Sequence, residues 1–129
     1  MKPRYFNSRN LGALGERKAA EYLRAEGYEI LWQNFSCSSG EIDIIAHPRG
    51  ENVICFAEVK TRRNSDYGRP AEAVTRAKQR HIRSVATFCL LKEWDHIGVN
   101  QDTNFRFDVL EVDFESGAPR VNHIPAAFY

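Results

Sequence analysis

At 129 residues, 43% hydrophobic and 27% charged, the chain has the make-up of one ordinary globular domain, able to bury about two thirds of the surface its unfolded form exposes. No apolar run approaches the ~18 residues of a spanning helix, no apolar stretch follows the charged Met1-Lys2-Pro3-Arg4-Tyr5 as a secretory signal requires, and Cys37, Cys55 and Cys89 lack the C-x-x-C spacing of a zinc knuckle or the even number of a disulfide framework. A cytoplasmic protein with packed, reduced thiols and no membrane partner is expected, and the net charge of +1, from 18 basic and 17 acidic residues, does not by itself suggest nucleic acid.

Residues 1–9 read as an N-terminal arm and 10–129 as the domain. A helix is predicted over 10–27, where Leu11, Leu14, Ala19, Ala20, Tyr22 and Leu23 recur at three and four, Asn10 is a candidate N-cap and Gly27 a fitting stop. Glu16 lies along or beside that apolar stripe, where a carboxylate is costly unless it is paired or bound to a cation. A strand is predicted over 28–35, with Ile30, Trp32 and Asn34 on one face and Leu31, Gln33 and Phe35 on the other. Cys37-Ser38-Ser39-Gly40 is turn material. Two more strands follow, 40–45 and 56–61, interrupted by the turn chemistry of Pro48-Arg49-Gly50.

Residues 62–69 form a polar loop suited to backbone phosphates, with Tyr67 placed to lie against a sugar or base. Pro70 fits the first position of a helix running to about 92, whose inner stripe would be Val74, Ala77, His81, Ile82, Val85, Phe88 and Cys89. His81 in that stripe is expected to be a satisfied core histidine. After a connection over 94–103, alternation predicts a strand over 104–114, and from Val121 a short terminal segment should dock Ile124 and Phe128 on the core.

The charge inside the two middle strands is what sets this sequence apart. Period two puts Asp43 on a face with Glu41 and Ile45, and Glu58 with Lys60, Phe56 and Ile54. If His47 pairs with Asn52, Asp43 sits opposite Phe56 and Glu58 is one diagonal step away, roughly 7–8 Å, close enough for two carboxylates to reach one cation. A one-residue slip would put them on opposite faces. Magnesium or manganese suits such a site, because a hard ion takes oxygen ligands and needs only one or two protein carboxylates, and Lys60 would then lie beside any bound water. His47 shares the strand face of Asp43 and is placed to point into the same site.

No other constellation competes. The sequence has no G-x-x-x-x-G-K, G-x-G-x-x-G, H-E-x-x-H or G-x-S-x-G motif, and its four histidines are too scattered for a zinc centre. Its charge is unevenly spread: between Glu58 and Arg83 stand Lys60, Arg62, Arg63, Arg69, Arg76, Lys78, Arg80 and Arg83 against only Glu58, Asp66 and Glu72, a local excess of +5. That block, and Arg62, Arg63, Arg69, Arg76, Lys78 and Arg80 in particular, would draw a phosphate backbone, with affinity falling by about 0.9 log units per log unit of salt for each phosphate neutralised. The plainer alternative is a solvated helix face.

The Asp43, turn, Glu58-Val59-Lys60 order resembles the PD-(D/E)XK nucleases, the restriction-endonuclease-like superfamily that includes Holliday-junction resolvases, with Ile42 where the superfamily has proline. Gly15-Glu16, Gly40-Glu41-Ile42-Asp43, Glu58-Val59-Lys60-Thr61, Arg106-Phe107-Asp108-Val109 and the ending His123-Ile124-Pro125-Ala126-Ala127-Phe128 resemble, more narrowly, the YraN-type family of small bacterial proteins. The resemblance implies a single α/β domain with a mixed central sheet flanked by helices, and a magnesium- or manganese-dependent nuclease acting on DNA more than RNA, including branched or repair intermediates. It also implies Asp43, Glu58 and the Val59 carbonyl as metal ligands, Lys60 as the residue that orients or activates water, Glu16 as a further acid, and Gln79 as a polar helix residue near the lysine. Resolvase-like relatives act as dimers, which adds a homodimer to the expectations. The alternative is a nucleic-acid-binding protein that keeps the fold and cuts nothing, with Glu58 and Lys60 paired to each other or across strands and the basic block binding backbone only.

Overall fold

The computed structural model describes residues 8–62, 74–93, 95–115 and 117–129. Along them run helix α1 (Ser8–Ala25), strands β1 (Tyr28–Cys37), β2 (Gly40–Pro48) and β3 (Val53–Arg62), helix α2 (Arg76–Glu93), and strands β4 (Asn104–Asp113) and β5 (Arg120–Phe128). The strands form one sheet in the order β1-β2-β3-β4-β5. Neighbours joined by short turns are antiparallel, whereas β4 runs parallel to β3, as it must when a helix carries the chain back between them. The result is the α/β domain with a mixed, helix-flanked sheet that the sequence predicts.

Two apolar clusters divide the sheet's faces. Ala19, Ala20 and Leu23 of α1 pack on Ile44, Ala46, Ala57, Leu110 and Val112. On the other face Ile82, Val85, Ala86 and Cys89 of α2 pack on Ile45, Ile54, Phe56 and Val109. Adjacent residues such as Phe56 and Ala57 serve opposite clusters because strand side chains alternate. Gly27, at φ 89°, ends α1 in the left-handed conformation that glycine adopts without strain. All three cysteines are free thiols, with burial, then Asp108, pushing Cys55 up to about 12. Among the described residues no helix is long and apolar enough to cross a membrane.

Four predicted details are corrected. A bulge falls in β1 between Ile30 and Trp32: Ile30 and Leu31 face the α1 and α2 clusters as predicted, but Trp32, predicted on the face opposite Phe35, packs edge-on against it at 5.1 Å. Helix α2 starts at Arg76, capped by Thr75, whose Oγ1 accepts from the Lys78 N–H at 3.2 Å; the predicted start at Pro70, like Tyr67, lies outside the described residues. Its buried arc is turned towards Ile82 and Ala86, which leaves Ala77, His81 and Phe88 on the exposed flank, so His81 is not a core histidine. The terminal segment is a full edge strand. It tolerates Pro125 because an edge has ladder positions to spare, and it stacks Phe128 on Phe107 at 5.1 Å.

Helix α1 touches β3 where Gly15 meets Thr61. A Cβ at position 15 would stand 1.9 Å from Thr61 Oγ1 and 3.0 Å from both Thr61 Cβ and Cγ2, so rotating Thr61 cannot clear it. Alanine normally stabilises a helix interior by about 1 kcal/mol over glycine. Gly15→Ala is expected to do the reverse here and lower stability by roughly 1–3 kcal/mol through overpacking, read as an earlier midpoint in urea. Unchanged or raised stability would mean that α1 does not press on β3 at this point.

Candidate functional site

Strands β2 and β3 pair through Ile44 with Ala57, Ile45 with Phe56 and Ala46 with Cys55. The pairing is thus two residues off the predicted register, with the hairpin turn one position further along the chain. An even shift would keep the faces of a regular ladder, and the residues next after the last pair, Asp43 and Glu58, come level in place of Asp43 and Phe56. The alternation of β2 breaks here, however, since Ile42 and Ile45 both pack in the α2 cluster and Asp43 meets Glu16 of α1. At that point the Val59 N–H donates to Asp43 Oδ2 at 2.8 Å instead of to a carbonyl of β2. A carboxylate has been substituted for a ladder acceptor, so the two strands part and a gap opens at the end of the hairpin. The Val59 carbonyl points to the same side of the strand as its N–H, which turns it towards this gap.

Helix α1 carries Glu16 to the gap, and β2 adds Glu41. Glu16, Glu41 and Asp43 each offer one oxygen, all within 4.8 Å of one another. Burial, then the nearby Asp43 charge, raises the pKa of half-buried Glu16 well above the ordinary carboxylate value, because desolvation and a like-charged neighbour both disfavour ionisation. Buried Glu58 is likewise pushed up by burial and by Asp43, against the pull of Lys78 and Lys60. Its Oε1 lies 3.2 Å from Lys78 Nζ and 4.0 Å from Lys60 Nζ.

This donor set fits a hard divalent cation. All the side-chain donors are carboxylate oxygens, the ligands such an ion takes, and a spread of no more than 4.8 Å is within reach of side-chain rotation onto one ion. Glu41 is the member that sequence reasoning placed beside Asp43 without assigning it a role; its place on the same strand face was the available signal.

The other predicted residues are dispersed. Gln79 donates from Nε2 to the Val74 carbonyl at 3.0 Å and so serves the start of α2. Arg62 is buried and ion-paired with Glu111 of β4, which removes it from the predicted phosphate-binding set: its guanidinium already has a carboxylate inside the sheet. Arg76 and Arg80 are exposed on α2, whereas Lys78 reaches back to Glu58. Arg63 and Arg69 lie outside the described residues. His47 lines a separate cavity of about 280 Å³ with Asp95 and His96 and does not join the acids.

The model of the uncharacterised protein family UPF0102 matches residues 15–112, from the glycine that seats α1 to the end of β4 and across the whole carboxylate cluster. The chain belongs to the UPF0102 family. It is similar to the UPF0102 protein of Caldicellulosiruptor saccharolyticus, 47% identical over 82% of this chain and 84% of the relative. It also resembles that of Pelobacter propionicus, 42% identical over 95% and 84% of the two chains, and that of Geobacter metallireducens, 43% identical over 95% and 94%. The family relationship thus covers nearly the full length of both partners, and the YraN-type resemblance read from the motifs names this same family.

Proposed function

We propose that this UPF0102 member is a metal-dependent nuclease that hydrolyses DNA phosphodiester bonds, with branched or repair intermediates among its substrates. One observation carries the reading: three carboxylates from two elements converge to within 4.8 Å beside Glu58 and Lys60, at the point where β2 and β3 separate. The resemblance to PD-(D/E)XK nucleases supplies the reaction class, and the geometry supports a hard-cation site at the expected acids. A bound magnesium or manganese ion would lower the pKa of a coordinated water and offset charge at the phosphate. Asp43 is held for this work by the Val59 N–H, which fixes the carboxylate's orientation and leaves its second oxygen open to the site. Lys60, partly exposed at the gap's rim, is placed to orient the water and stabilise charge on the phosphoryl oxygens without accepting a proton.

Incubation of branched, flapped and single-stranded DNA with the protein and magnesium or manganese tests this, alongside Asp43→Ala. Cleavage by the wild type with a loss of at least a hundredfold in the variant is expected; cleavage undiminished in Asp43→Ala refutes the assignment. A second reading, a binding protein that cuts nothing, is favoured by the lysines already seated on Glu58. Calorimetry separates the two, because only the nuclease reading requires saturable manganese binding.

A further inference from the structure

Charge is unequally compensated across this site. On the side of α1 and β2, Glu16, Glu41 and Asp43 crowd together. On the side of α2 and β3, Glu58 alone has two ammonium groups close by, Lys78 at 3.2 Å and Lys60 at 4.0 Å. Lys60 is there by strand geometry, two residues along the same face. Lys78 comes from another element, and the start of α2 is arranged to present it. Its own N–H is bonded to the Thr75 cap, and the next residue, Gln79, is tied through its side chain to the Val74 carbonyl. The backbone of Lys78 is therefore pinned, while its side chain, 43% exposed, can leave Glu58 without disturbing the core.

An ammonium ion seated between carboxylates does part of what a metal ion does there. It supplies positive charge and hydrogen bonds, but only one charge and no vacant coordination position. We propose that Lys78 is the resident second cation of this site: it occupies Glu58 and so limits the site to one divalent ion, carried by Glu16, Glu41 and Asp43. This rests on the reading of the cluster as a metal site. Two-metal phosphodiesterases hold their ions about 3.5–4 Å apart by sharing a carboxylate between them. With the nearer ammonium removed and only Lys60 left, at 4.0 Å, Glu58 becomes available to hold a second ion jointly with Asp43.

Titration of the full chain with manganese, by calorimetry and by electron paramagnetic resonance, tests the proposal without reference to activity. The wild type is expected to bind one manganese ion, Lys78→Gln two with dipolar broadening between them, and Lys78→Arg, which keeps the charge, one. A wild type that binds one ion and a Lys78→Gln variant that also binds only one would overturn the role of Lys78 and leave the metal site standing. Two ions in the wild type would overturn it as well. No manganese binding by the wild type would remove the metal reading itself, and this inference with it.

Discussion

Asp108→Asn is expected to lower stability by about 3–5 kcal/mol, the cost of breaking a buried charge pair by removing one partner. Asp108 is 1% exposed, yet every direction around its carboxylate is filled. Arg106 donates from Nε to Oδ1 and from a terminal nitrogen to Oδ2, both at 2.8 Å, and the Ala126 N–H donates to Oδ1 at 3.0 Å. His123 Nε2 lies 2.7 Å from Oδ2 and must carry the hydrogen, since an ionised carboxylate only accepts. Arg106 also donates to the Tyr28 hydroxyl at 2.6 Å, and the rings of Tyr22 and Tyr28 stand edge-on to His123. One carboxylate thus joins β4, the edge strand β5, the start of β1 and the end of α1. Asparagine keeps the shape but offers a single acceptor oxygen, leaving buried donors without a charged partner.

The same group predicts a pH dependence. Burial works against the Asp108 charge, but the hydrogen bonds from His123, Arg106 and Ala126 together outweigh it and hold the carboxyl below its ordinary value of 3.8. A depressed folded-state pKa gives stability that is whole above the unfolded value and is lost as pH falls through the folded one. The difference between wild type and Asp108→Asn in urea midpoint should therefore be full at neutral pH and shrink below about pH 4. A difference of less than 1 kcal/mol at pH 7 would show that the network is dispensable for folding.

Lys60→Ala is expected to slow DNA cleavage by 10²–10⁴-fold in single-turnover measurements, the range for removing a positioned proton-transfer or charge-stabilising group. The fold should be untouched, because Lys60 is partly exposed at the rim and Glu58 keeps Lys78 as its nearer partner. Manganese affinity measured by calorimetry should hold as well, since Lys60 offers no ligand to a cation. A parallel loss of metal binding would move Lys60 from the chemistry to the assembly of the site. A rate unchanged within threefold would leave it no role in either.

The sequence by itself determined the element types, the faces of the main strands and the adjacency of Asp43, Glu58 and Lys60, because period two in a strand and 3.6 in a helix are local properties that any register must respect. That adjacency survived a two-residue error in the hairpin pairing, whereas the break in β2 that carries Asp43 to Glu16 of α1 while Ile45 packs under α2 was not legible. Only the tertiary structure decided which charge meets which. Arg62 and Lys78 belong to one basic block in the sequence, yet Arg62 is spent on Glu111 of a strand some fifty residues on, and Lys78 turns inward to Glu58. Glu16 joins Glu41 and Asp43 because Gly15 lets α1 lie directly on Thr61. Periodicity says which way a side chain points from its own element; its partner is set by how closely another element docks, and that depends on packing summed over the whole core.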